Sequence, residues 1–201
     1  MSRRRAIHDH YAHRARQADR RAAHDVVDWA DLDAQQKRFA VLADHVPLAG
    51  KSLLDVGCGL GDLWAFLSQR GLEVDYTGVD LVAEMVAAAQ VRHPSARFVH
   101  ADIFGENPFA PGSFHVTFVS GAFNLSLGNN RDFLPGAIAV LLEIASEVAV
   151  FNLLHQRTPH KYDHCVYWEP AEVAPIAQGL CARVTLVEDY LPNDFTVICA
   201  K

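Results

Sequence analysis

Apolar runs alternate along this chain with segments of helical period. The run at 52–57 precedes a segment in which Leu63, Trp64, Phe66 and Leu67 are spaced for a helix over 62–70, with Gly71 as its stop. The unit then repeats. A strand at 75–80 leads into a helix at 82–93, closed by Pro94, and a strand at 96–101 ends in a Pro/Gly loop at 107–113. A strand at 114–120 precedes a helix at 131–145, which carries Phe133, Leu134, Ile138, Leu141, Leu142 and Ala145. A nearly all-apolar strand at 147–154 follows. A polar insertion at 155–168 separates it from a helix at 170–179 and two last strands at 182–188 and 195–200. Upstream, Phe39, Leu42, Ala43 and Val46 mark one face of a helix over 33–45. Ile7, Tyr11, Ala15, Ala18 and Ala22 draw a narrow apolar stripe on a helix over 3–23, whose arginines are expected on its solvated face.

Strands alternating with helices predict a parallel sheet covered on both faces. Right-handed crossovers then set every parallel strand's C-terminal end on one edge. The last two strands have too short a linker for a crossover and must form an antiparallel hairpin. The expected fold is α/β, a doubly wound, seven-stranded, mostly parallel sheet with an antiparallel last strand. It divides into an N-terminal helical cap, 1–49, and a core, 50–201, within one compact domain.

Composition narrows the class. With 201 residues, half of them apolar and 21% charged, the chain suits one globular domain. A formal net charge of −6 argues against nucleic acid as the main partner. No apolar run reaches the ~20 residues of a membrane span. Cys58, Cys165, Cys181 and Cys199 have no dithiol or zinc-knuckle spacing and read as reduced thiols of a cytoplasmic protein. The opening Met-Ser-Arg-Arg-Arg lacks the apolar segment of a secretory signal.

The candidate chemistry begins at Asp55-Val56-Gly57-Cys58-Gly59-Leu60-Gly61. A strand, a glycine turn and a helix N-terminus bring backbone N–H groups close to a nucleotide-like ligand. Glycine supplies the unusual φ/ψ angles and the close approach. Asp80 ends the next strand, 19 residues after Gly61, about where a carboxylate meets ribose hydroxyls, and Asp102 ends the third. Post-strand turn chemistry is the plainer reading of both.

Asp-x-Gly-x-Gly-x-Gly at 55–61, Gly-Val-Asp at 78–80 and Ala-Asp-Ile at 101–103 resemble a class I S-adenosylmethionine (SAM) methyltransferase of Rossmann-like fold, from about residue 50 to the end. The nearest likeness is to small, poorly characterised bacterial members ending in Tyr-Leu-Pro-x-Asp-Phe-Thr, here 190–196. The resemblance implies SAM as cofactor, S-adenosylhomocysteine (SAH) as product and a small-molecule acceptor. It implies cofactor contacts at Asp55, Gly57, Cys58, Gly59, Gly61, Asp80, Leu81, Asp102, Ile103 and Ser120. Asp55 would lie near the ammonium group, Asp80 on the ribose, and Asp102 and the Ile103 N–H on adenine, between Leu81 and Ile103. The segment before the core often closes the pocket in this family, which brings in Tyr11 and the histidines His8, His10 and His13.

Acceptor residues are sought on the same sheet edge. Phe123 and Asn124 follow the fourth strand, where amino methyltransferases carry Asn/Asp-Pro-Pro-Tyr/Phe; that motif is absent, which disfavours nucleobase or glutamine N-methylation. The insertion offers His155 and Tyr162 as parts of an aromatic lid. His160, His164 and Cys165 are too local to complete a metal site, and no metal is expected. The loop 189–194 must reach the same edge, bringing Tyr190 and Asn193; a plain hairpin turn is the alternative. No catalytic base is assigned, since methyl transfer needs one only for a protonated acceptor. Competing functions are an RNA or protein methyltransferase, a non-catalytic binding protein of this fold, and a nicotinamide-dependent oxidoreductase. The last spaces its glycines Gly-x-Gly-x-x-Gly, unlike 57, 59 and 61.

Overall fold

The computed structural model describes residues 3–15 and 32–201. Its elements in chain order are helices α1 (Arg3–Ala15) and α2 (Leu32–His45), then β1 (Ser52–Val56), α3 (Asp62–Gln69), β2 (Asp75–Asp80), α4 (Ala83–Arg92), β3 (Arg97–His100) and β4 (Phe114–Val119). They continue with α5 (Asn130–Ile144), β5 (Ala145–Leu154), α6 (Pro170–Gln178), β6 (Arg183–Val187) and β7 (Asp194–Ala200). Residues 16–23 of the expected first helix lie outside the described residues.

The strands form one seven-stranded sheet in the order β3-β2-β1-β4-β5-β7-β6. β1 pairs in parallel with β2 and β4, and β7 pairs antiparallel with both β5 and β6. The chain winds outward from β1 to β3, then returns beside β1 and winds the other way. The carboxyl ends of β1 and β4 therefore flank a topological switch point, where open α/β sheets form a ligand crevice.

Period-2 alternation divides the core between the sheet's faces. Leu54, Val56, Val119, Phe151 and Leu153 pack on one side with α5 and α6. Leu53, Phe118, Val148 and Val150 pack on the other with Phe39 and Leu42 of α2 and Leu63 and Leu67 of α3. Each fully buried Leu or Phe contributes about 1.5–3 kcal/mol. α1 sits apart from both clusters: Ala12 and Ala15 pack on Leu60, Val82 and Met85, over the glycine turn and the start of α4. No helix among the described residues is long and apolar enough to cross a membrane.

A buried polar knot ties α2 to the end of the sheet. Arg38 and Asp194 are 3% and 0% exposed, so neither charge has water to rely on. The Arg38 guanidinium donates from Nε to Asp194 Oδ2 at 2.6 Å, with Nη2 also against that oxygen. Asp194 Oδ1 accepts from Asn152 Nδ2 at 2.9 Å and from the Tyr190 hydroxyl at 2.7 Å.

Candidate active site

A cavity of about 420 Å3 opens at the switch point. Its floor is the glycine turn. Gly57, Gly59 and Gly61 all have positive φ (72°, 54° and 79°), a region that L side chains rarely enter. A Cβ on Gly57 would stand 2.9 Å from that of Ala122, so this glycine also lets the loops after β1 and β4 touch. The N–H groups of Gly57 and Cys58 both donate to Val79 O, at 2.8 and 3.1 Å, which anchors the turn to β2.

Asp80, at the end of β2, accepts from Gly59 N–H on Oδ2 at 2.9 Å and from Val82 N–H on Oδ1 at 2.8 Å. One backbone bond per oxygen orients the carboxylate and leaves each oxygen further acceptor capacity. Burial raises its pKa, and these backbone bonds oppose the rise. Asp102 follows β3; its Oδ1 accepts from the N–H groups of Phe104 and Gly105, at 3.2 and 3.1 Å. This is the local turn chemistry that its position suggested, and the side chain also lines the cavity.

Asp55, near the end of β1, is 4% exposed. Burial pushes its pKa to about 7; the Tyr76 hydroxyl, 2.7 Å from Oδ2, opposes this, while Asp80 and Asp62 add to it. Asp62 accepts from Nε2 of the buried Gln35 at 3.2 Å. Four aspartates, Asp55, Asp62, Asp80 and Asp102, thus line the cavity, and the first three lie together around the glycine turn, a setting that favours a cationic ligand group.

The other end is built from side chains. Phe104, Phe123 and Phe133 form an aromatic cluster with ring centroids 5.3–6.3 Å apart. α1 closes over it with Arg3, Arg4, Ile7 and Tyr11. Contrary to a fully solvated arginine face, Arg3 is half-buried, its guanidinium carbon 3.6 Å from the Phe133 ring centroid. Ser120 and Gly121 complete the wall after β4. Ser120 Oγ is buried with no hydrogen-bond partner among the described residues.

Of the residues expected from sequence, Asp55, Gly57, Cys58, Gly59, Asp80, Leu81, Asp102, Ile103, Ser120, Tyr11 and Phe123 line this one cavity. Gly61 supports it from behind, where a Cβ would meet the Phe98 ring at 2.7 Å. Asn124, His155, Tyr162, Tyr190 and Asn193 are not in its wall. The Tyr190 hydroxyl turns inward to Asp194 and Thr196, at 2.7 and 2.8 Å. His155 is buried beside Phe195, its Nδ1 accepting from Arg157 N–H at 3.1 Å. Tyr162 is exposed, and the Asn193 carbonyl accepts from His155 N–H at 3.0 Å. Arg157 fastens the loop from outside by donating to the carbonyls of Glu188, Leu191 and Pro192. The insertion is docked instead on the loop after β4, through Ser126 N–H to His164 O at 2.7 Å and Val166 N–H to Asn124 O at 2.8 Å. Sequence reasoning missed Arg3, Tyr76, Phe104 and Phe133. Only the two strand-adjacent aromatics, Tyr76 and Phe104, had a positional signal.

Residues 53–143 match the model of a methyltransferase domain. A putative methyltransferase, Rv1506c of Mycobacterium tuberculosis, is 28% identical over 160 residues, covering 75% of this chain and 93% of that protein. Trans-aconitate 2-methyltransferase of Delftia acidovorans is 35% identical over 104 residues, 51% of this chain but only 38% of that enzyme. Among solved structures, magnesium protoporphyrin IX methyltransferase from Synechocystis with bound SAH superposes with a TM-score of 0.72, at 16% identity, over 98% of this chain and 99% of that one. The glycine turn and its acidic strand ends thus lie in one crevice, within a stretch, 53–143, that matches a methyltransferase domain, and the whole chain has the fold of SAM-dependent methyltransferases.

Proposed function

We propose that this protein methylates a small-molecule acceptor bound in the side-chain-lined end of the cavity. The observation that carries the reading is the cover: Ile7 and Tyr11 of α1 line the crevice opposite the core elements, so a cavity of about 420 Å3 is partly closed by a helix. A pocket of this size suits a small ligand. Two relatives are named for small acceptors, trans-aconitate and magnesium protoporphyrin IX, which supports the same class here.

The residues present fit the cofactor. Asp80 has acceptor capacity for the ribose hydroxyls, Asp102 for the adenine amino group, and Leu81 and Ile103 provide apolar faces for the ring. Asp55, with Asp62 nearby, favours the ammonium group, and Ser120 lines the same cavity. When bound, SAM supplies an electrophilic methyl group on a sulfonium. The chain's task is then to orient the acceptor and exclude water. Phe104, Phe123 and Phe133 orient it from below, and Tyr11 and Ile7 close the site from above.

The test is a panel of small acids, amines, phenols and thiols incubated with SAM, alongside bulk tRNA and a protein lysate, read by SAH release. Turnover on a small molecule is the expected result. Methylation of tRNA or protein with every small molecule inert would overturn it.

A further inference from the structure

Charge is segregated within the cavity. Its aspartates come from the turn and strand ends on the cofactor side, whereas its two cations, Arg3 and Arg4, both come from α1. Arg3 is the more enclosed of the two. Its guanidinium lies flat enough on Phe133 to bring the central carbon within 3.6 Å of the ring centroid. Its one hydrogen bond among the described residues is long, 3.4 Å from Nη1 to the neutral Asn129 Oδ1. Among the described residues no carboxylate lies within ion-pair distance of Arg3 or Arg4, whereas the adjacent Arg5 pairs with Asp9 at 3.7 Å. A guanidinium has five N–H donors in a planar fork that matches a carboxylate. Here the fork is pre-set by stacking, partly dehydrated, and largely unused. Burial also lowers the Arg3 pKa, the signature of a cation without a counter-charge. Asn129 precedes the first residue of the 15-residue helix α5, so Arg3 also stands beside the positive end of that helix.

The rest of this end is aromatic. An acceptor that satisfies it needs an anionic group for Arg3 and a flat or apolar body for Phe104, Phe123 and Phe133. We propose that the acceptor is a small organic carboxylate, held by Arg3 at the α1–α5 junction with its body on the three phenylalanines. A carboxylate is also nucleophilic without losing a proton. That suits a lining whose ionisable groups besides the two arginines are Tyr11, Cys58 and four aspartates.

This rests on the small-molecule methyltransferase reading, and the experiment separates the two. SAH is titrated first; then trans-cinnamate and its neutral isostere trans-cinnamamide are titrated into the SAH complex by calorimetry or NMR. The acid is expected to bind the wild-type complex about tenfold or more tightly than the amide, as a hydrogen bond to a charged group implies. Arg3→Met is expected to abolish that preference and Arg3→Lys to keep part of it, with SAH affinity unchanged in both. If SAH binds and acid and amide bind equally, or if Arg3→Met leaves the preference intact, the Arg3 assignment is overturned and the methyltransferase reading stands. If SAH does not bind the wild type, both fall. Should Arg3→Met disturb the fold, the acid-to-amide ratio of the wild type still decides.

Discussion

The Tyr76 hydroxyl donates to Asp55 Oδ2 at 2.7 Å across two neighbouring strands, and both residues are buried. This bond stabilises the carboxylate, while burial and the nearby Asp80 and Asp62 oppose it, leaving Asp55 near pH 7 instead of the ordinary 3.8. The sign follows. Between about pH 4 and 7 the folded protein holds a proton on Asp55 that the unfolded chain has lost, so stability of the ligand-free protein falls as pH rises and levels off above 7. The upper bound on this loss is about 4 kcal/mol. Chemical denaturation at pH 5 and 8 should show the fall in the wild type and its removal in Asp55→Asn. Equal pH slopes in the two proteins would show that Asp55 is ordinary.

The same group predicts a proton release. At pH 7 Asp55 is about half protonated, and a cationic ligand group beside it favours the carboxylate. SAM binding should release up to about half a proton, seen as a difference in binding heat between phosphate and Tris buffers. Asp55→Asn should erase that difference.

Asp80 has two jobs that two variants separate. Asp80→Ala removes the acceptor of two backbone N–H groups and is expected to cost about 1–3 kcal/mol in fold stability as well as about 1.5–3 kcal/mol in SAH affinity. Asp80→Asn keeps one acceptor oxygen and should lose mainly affinity. Thermal denaturation and calorimetric titration read the two effects; full SAH affinity in a folded Asp80→Ala protein would remove the ribose assignment.

Gly57→Ala is strained twice, by its φ of 72° and by a Cβ 2.9 Å from that of Ala122. The expected cost is about 1–3 kcal/mol, with SAH affinity lowered because the loops after β1 and β4 must separate. A variant with wild-type melting temperature and SAH affinity would show that the turn yields freely.

Arg38→Met strands Asp194 in the interior. Losing one partner of a buried pair costs about 3–5 kcal/mol, so the melting temperature should drop by about 10 °C. Arg38→Met combined with Asp194→Leu should recover part of it. No drop in the single variant would mean that Asn152 and Tyr190 alone suffice for Asp194.

What was legible in the sequence was whatever the backbone dictates. The glycine turn, the strand ends at Asp55, Asp80 and Asp102, and the antiparallel closing strand follow from periodicity, turn chemistry and linker length, and the structure has them all. The acceptor end was not legible in this way. Loop 189–194 does follow β6, but its rim position did not dictate where Tyr190 points. A buried Asp194 beside Arg38 offered its hydroxyl a stronger partner than solvent. Arg3 was read as surface because an arginine at the start of a polar helix has no periodic signature, and its partner, Phe133, lies 130 positions away. Long-range side-chain pairing is a property of the packed molecule, and local pattern carries no trace of it.

The cavity's two ends differ in what makes them, and this bears on how such a protein diversifies. One end is shaped by main-chain turns between strands, which tolerate little change. The other is furnished by side chains of α1, α5 and the loops after β3 and β4, and α1 lies outside the region, 53–143, that matches the methyltransferase-domain model. If the proposed acceptor end is right, substitutions in the first helix would change the lining of that end while the glycine turn and its strand ends stay as they are.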